Sequence, residues 1–282
     1  MLEAGAGSKS GPSAGAAGQA PCTTPTERPM NDTPPTLLSF SVSHFSEKIR
    51  WTLDQAGLPY REQRLVPFLH IPRVLALTRR ASSVPVLLAG GEVIQDSTRI
   101  LEWLERRHAP FALIPADPAL RSEVMELEAR FDRVGVHVIR QLFAETLDDK
   151  AATLPLWTQD ATPLQRRALS LAYPLVRRGF SRLLQLSPAT LRKAVARIDE
   201  AADLIAERTR GGRPYLLGDR LSVADITACA LLSPLACPEE HPVFGAAAYR
   251  RTVRMRAVRW DDHPGFDWVR KTYRQHRRPR RV

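Results

Sequence analysis

Asp96 and Ser97 open an apolar helical stretch in which Ile100, Leu101 and Leu104 fall on one face. A carboxylate beside a hydroxyl at a helix N-terminus suits a zwitterion. Asp96 can pair with an ammonium, while the Ser97 hydroxyl and the helix amides can take a carboxylate. The same two residues would also serve as an ordinary N-cap. Eleven residues upstream of Asp96 is Pro85, and Val84-Pro85 begins a buried strand, leaving backbone groups free beside that helix end. The combination fits a small anion or an extended peptide.

A second set of candidates lies in the serine-rich turn S-V-S-H-F-S at residues 41–46. A hydroxyl at Ser43, close to the N–H groups of the following helix, can donate a hydrogen bond to a thiolate. Both influences favour ionised sulfur and lower the pKa of a bound thiol. The competing role is that Ser43 or Ser46 caps the helix, and Ser41 and Ser46 offer the same chemistry as Ser43. His44 reads as an exposed loop histidine without a partner.

The elements that must position these residues alternate between residues 36 and 110. Strand 36–40, helix 46–56, strand 60–65, helix 70–79, strands 84–89 and 92–94 around Gly90-Gly91, and helix 96–107 follow in order. This is the thioredoxin-like order, an α/β unit with a mixed sheet. The stretch 109–118 is broken by three prolines and reads as a linker. From 119 to 276 only helical periodicity remains, over 120–147, 162–185, 188–208, 222–235 and 264–276, so an all-helical bundle is expected there.

Three segments in the right order resemble the glutathione transferase family. They are Ser43, Ser46, Lys48 and Arg50 in a Ser-x-x-Ser-x-Lys-x-Arg pattern, Val84-Pro85 with Asp96-Ser97, and R-P-Y-L-L-G-D-R-L-S-V-A-D-I-T at residues 213–227. In the last, Ser222 and Asp225 have capping-box spacing. The resemblance covers roughly residues 36–235 and is to serine-type, bacterial-like members. It implies glutathione as co-substrate, Ser43 as thiol activator, and Val84, Pro85, Asp96, Ser97 and His70 as glutathione-binding residues. A cis Val84-Pro85 bond is implied with them. The Asn-Pro pair that often precedes the proline loop is replaced by Arg79-Arg80, and Ser83 stands just before Val84. His70, Arg73 or Arg80 is left to meet the glycine carboxylate.

The same resemblance implies conjugation of the glutathione thiolate to a small apolar electrophile lying between the two domains, with Leu142, Phe143, Trp157 and Tyr173 either lining a pocket or packing the core. Detoxification in the cytoplasm, a homodimer and no metal are implied too. The alternative is a non-catalytic interaction or regulatory protein of this fold. Thiol-disulfide exchange would need a cysteine at Ser43, and residues 36–108 contain none.

Composition narrows the remaining classes. The three cysteines, Cys22, Cys229 and Cys237, have no metal-type spacing and read as reduced thiols. No apolar run reaches the ~18 residues of a membrane span. The net charge of +11 is concentrated after residue 248, where twelve Arg or Lys face three Asp. No aromatic residue interleaves the last arginines, which argues against specific nucleic-acid reading. Residues 277–282 therefore read as an undocked basic tail, dispensable to catalysis. Residues 1–35 read as a disordered leader, with Met30 as a candidate start.

Overall fold

Leu37 and Leu38 are neighbours in strand β1 (Thr36–Ser39), so their side chains face opposite sides of the sheet, and each side takes its own helices. The computed structural model describes residues 33–254 and 258–277. The expectations placed on Cys22, on the leader with Met30, and on residues 278–282 lie outside the described residues.

β1 pairs in parallel with β2 (Arg61–Arg64), reached through helix α1 (His44–Gln55). On its other edge β1 is antiparallel to β3 (Val86–Ala89), which follows helix α2 (Ile71–Thr78). β3 turns at Gly90-Gly91, both at positive φ, into antiparallel β4 (Glu92–Gln95) and then helix α3 (Ser97–Arg107). The order β2-β1-β3-β4 gives a mixed four-stranded sheet of the thioredoxin-like type. Leu37 and its cross-strand partner Leu87 belong to the core that includes Ile49 and Leu53 of α1 and Ile100, Leu101 and Leu104 of α3. Leu38 and Val86 cluster instead with Leu65 and Val74. Because Leu38 pairs with Val86 and Val86 with Gln95, the end of β1, the start of β3 and the end of β4 meet at one end of the sheet.

The rest of the chain is helical: α4 (Pro118–Thr146), α5 (Lys150–Trp157), α6 (Pro163–Leu184), α7 (Pro188–Arg208), α8 (Val223–Ala236), α9 (Ala247–Arg254) and α10 (Pro264–His276). Asp117, Thr162 and Ser187 cap helices whose first residue is proline, a position where the missing N–H costs nothing. Every residue of α8 is buried, with α1, α4 and α10 packed around it. A helix apolar on all sides is what such a central position requires. The Asp225 carboxylate accepts the Ser222 N–H and Oγ–H and the Leu216 N–H, fixing the start of α8. Among the described residues, no helix is long and apolar enough to cross a membrane.

Two helices depart from the periodicity reading. α5 contains Pro155, and its cap Asp149 lies only three residues past the end of α4, so the two patterns run together. α9 is eight residues long and dominated by polar side chains, and its apolar pattern is too brief to detect.

Candidate active site

Ser43 is the N-cap of α1, and its Oγ accepts the Ser46 N–H at 3.1 Å. A hydroxyl that accepts in this way still has its own hydrogen to donate, so capping and thiolate stabilisation are compatible at this atom. The two rival serines are differently placed. Ser41 is buried and donates to Asp160 Oδ2 at 2.7 Å, and Ser46 is fully buried with Oγ unpartnered. Of the three, only Ser43 keeps partial exposure.

The turn carrying Ser43 is pinned from below by Arg50. Its guanidinium donates to the carbonyls of Phe40 at 3.2 Å and of Ser41 and Ser43 at 3.4 Å. Arg50 is held in turn by Glu47 at 2.8 Å and Glu62 at 2.9 Å. Glu47 has no exposed surface. Burial acts to raise its pKa, but the charges of Arg277 and Arg50 outweigh that and lower it to about 2. Arg277 reaches Glu47 at 2.6 Å and Asp54 at 2.7 Å. The tail read as undocked therefore begins with a residue anchored in α1; charge pairing, not apolar surface, holds it.

His44 also departs from the sequence reading. It is the first residue of α1, buried, with Nε2 3.1 Å from the Gly135 carbonyl oxygen of α4. Burial lowers its pKa to about 4, so the ring is neutral near pH 7. A Cβ at residue 135 would stand 2.6 Å from Phe45 and 3.1 Å from His44, so glycine is what permits α1 and α4 to approach here.

Asp96 caps α3, its Oδ1 accepting the N–H groups of Thr98 at 3.0 Å and Arg99 at 3.2 Å, while the residue remains exposed. Ser97 is buried. Its Oγ accepts from Lys48 Nζ at 3.1 Å and donates to Asp132 Oδ1 at 3.2 Å. Lys48 is fully buried and paired with Glu128 and with Asp132, the latter at 2.7 Å. A buried ammonium needs such partners. The cluster ties the α3 N-terminus to α1 and α4. Lys48 and Arg50 were legible in the sequence only as a pattern; Glu128, Asp132 and Arg277 carried no local signal, because their partners are 80, 84 and 230 residues away.

Val84-Pro85 is cis, and the Pro85 carbonyl accepts the Asp96 N–H at 3.4 Å, joining the proline loop to the α3 cap. Val84 itself is half-buried and precedes β3. His70, the residue before α2, has Nε2 2.8 Å from the Ser82 carbonyl oxygen, so Nε2 carries the hydrogen, and Phe40 packs edge-on to its ring. Burial lowers its pKa. Arg73 donates to Gln63 at 2.6 Å, and Arg80 is exposed on the loop before Val84.

Leu142, Phe143, Trp157 and Tyr173 are buried together in a second core, with Val42 and Phe68 packed against it. Phe68, Phe143, Tyr173 and Phe180 all stand 4.8–5.9 Å from Trp157, ring centre to ring centre, or from each other. Their role is packing, and of the two readings open in the sequence it is the core one. Among the described residues no group of three His, Cys, Asp or Glu could hold a metal ion.

Residues 37–112 match the glutathione S-transferase N-terminal domain. The chain is 26% identical over 197 residues to a glutathione S-transferase of Pseudomonas putida, covering 68% of this chain and 71% of that one. A glutathione S-transferase from Rhodospirillum rubrum superposes with a TM-score of 0.57 at 23% identity, over 85% of this chain and 87% of the other. A glutathione S-transferase from Methylobacterium radiotolerans, in complex with glutathione sulfonate, gives 0.51 at 23% identity, over 84% and 95%.

Proposed function

We propose that this chain, whose residues 37–112 match the glutathione S-transferase N-terminal domain, is a glutathione transferase-like enzyme in which Ser43 activates the thiol. The observation that carries the assignment to Ser43 is its hydroxyl: partly exposed, at the α1 N-terminus, with its hydrogen free to donate while Oγ takes the Ser46 N–H. The hydroxyl and the helix end favour the thiolate, and the proton leaves to solvent. The sulfur then attacks an electrophilic carbon, forming a C–S bond. A leaving group departs with the electron pair, or an activated double bond accepts it and takes a proton from water.

Glutathione would lie at the end of the sheet where β1, β3 and β4 meet. The Val84 backbone pairs with the cysteinyl unit in strand fashion, beside Pro85. Asp96 Oδ2, not needed for capping, takes the γ-glutamyl ammonium, and the Ser97 N–H, which has no intrahelical partner at this position, meets the carboxylate. The Ser97 hydroxyl contributes indirectly, through Lys48 and Asp132. His70 supports the site by holding the Ser82 carbonyl in the loop before Val84, and Arg80 is the cation available for the glycine carboxylate. The apolar electrophile would approach Ser43 along the second core, against which Val42 of the turn and Phe68 both pack, with Asp160 held by Ser41.

Cytoplasmic residence, detoxification and a homodimer belong to this reading. Retention on immobilised glutathione, followed by conjugation to a general aromatic electrophile, tests the function. Sedimentation analysis tests the dimer. Failure to be retained together with absence of conjugation would favour a non-catalytic interaction protein.

A further inference from the structure

Helix α6 turns the wrong kind of residue toward solvent. Its inner face, Tyr173 and Leu184 with Val176 and Phe180, packs into the second core, and Leu169 is buried on the same side. Its outer face presents Leu164, Leu171 and Leu175, and Leu183 stands out to one side, each between 74% and 85% exposed. Leu164, Leu171 and Leu175 are spaced seven and four apart, which puts them within about 40° of one another around the helix. Ala168 and Gly179, both exposed, continue the stripe. From Leu164 to Leu175 the leucines run for about 16 Å at 1.5 Å per residue, with Leu183 about 100° away around the helix from Leu164. Exposed leucines scattered singly need no explanation, but a continuous row does.

The charge on this helix is equally one-sided. α6 holds five arginines, at 166, 167, 177, 178 and 182, and no Asp or Glu. Arg177 pairs with Asp148, whereas Arg167, Arg178 and Arg182 have no carboxylate partner among the described residues. By the same helical spacing Arg167 and Arg178 border the leucine stripe along one side, and Arg182 lies in line with it beyond Leu175. We propose that the outer face of α6 is a peripheral docking surface for an anionic lipid bilayer, the leucines entering the headgroup boundary and the arginine border meeting the lipid phosphates. A row of leucines flanked by unpaired cations, without one acid, is the composition such a surface demands. A second copy of this chain fits less well. Pairing α6 with itself would bring two arginine borders together with no carboxylate from either helix to answer them.

Sedimentation with vesicles tests the surface. Phosphatidylcholine vesicles with and without phosphatidylglycerol are compared at physiological ionic strength, using the full chain, Leu171→Glu/Leu175→Glu, Arg178→Glu/Arg182→Glu, and a chain lacking residues 278–282. The full chain should partition onto the anionic vesicles at least about tenfold more than onto the neutral ones. Both double variants should lose most of that partitioning, although their exposed positions leave folding and glutathione conjugation intact, and the truncated chain should keep it. Leu171→Glu/Leu175→Glu binding as well as the parent would overturn the proposal, and so would binding that disappears with residues 278–282. Absence of binding by the parent would overturn it as well, whether the leucine face then proved to self-associate in sedimentation velocity or to hold an acidic protein.

Discussion

Arg277 Nε donates to Glu47 Oε1 at 2.6 Å, joining the end of the described chain to the first turn of α1, one turn from Ser43. Glu47 holds Arg50, and Arg50 holds the carbonyls of Ser41 and Ser43. Through these two residues the segment after α10 is connected to the candidate thiol-activating turn.

Removing Arg277 should therefore matter in a way that removing residues 278–282 does not. Arg277→Ala leaves the buried Glu47 with Arg50 alone and should cost about 3 kcal/mol, the lower end for breaking a buried pair. Denaturant unfolding of Arg277→Ala beside a chain truncated after Arg277 checks this. Equal stability of the two would show that the Arg277 contacts are incidental.

Acid should destabilise the protein in two stages. His44 and His241 have pKa values lowered by burial to about 4 and about 3 from 6.5. Their folded state binds protons more weakly than the unfolded chain, so this stability is complete above about pH 6.5 and is lost as pH falls toward those values. Glu47 is held at about 2 against an ordinary 4.5, and its contribution is present above 4.5 and lost as pH falls toward 2. Melting temperature against pH should thus decline below 6.5 and again below 4.5. Glu47→Gln should flatten the lower stage only. A melting temperature constant from pH 7 to 4.5 would contradict the histidine assignment.

Ser43→Ala should separate capping from catalysis. Loss of the cap should cost about 1 kcal/mol of stability. Glutathione affinity should hold if, as proposed, Asp96, Ser97 and the Val84 backbone do most of the binding. The bound thiol's pKa should rise, and each unit is about 1.4 kcal/mol, so conjugation near neutral pH should fall roughly tenfold per unit and recover in alkaline buffer. A pH–rate profile identical to the parent's would leave Ser43 as a cap alone.

Gly135→Ala should disturb the site from a distance. The added methyl would meet Phe45 and His44, the two residues directly after Ser43, and must push α1 from α4. Overpacking of this kind costs about 1–3 kcal/mol. Conjugation should fall along with stability, while Gly179→Ala, inside α6 where a Cβ meets nothing within 4 Å, should leave conjugation unchanged and raise stability by up to about 1 kcal/mol.

The sequence by itself determined what is local. Short apolar runs placed the central strands, Gly90-Gly91 placed the hairpin, and Asp96, Ser97 and Ser43 marked helix starts, because strands, turns, caps and amphipathic faces depend on residues a few positions apart. Ser222 and Asp225 were legible for the same reason. Tertiary structure decided which groups are free. It committed Ser41 to Asp160, buried Ser46, drew His44 into the core and gave the Ser97 hydroxyl to Lys48 and Asp132, so that of the turn's three serines Ser43 alone remains partly open. It also showed that Leu142, Phe143, Trp157 and Tyr173 are core, and that Arg277 is anchored. A side chain's ionisation and availability follow from burial and from partners up to 230 residues away, and no short window of sequence contains them.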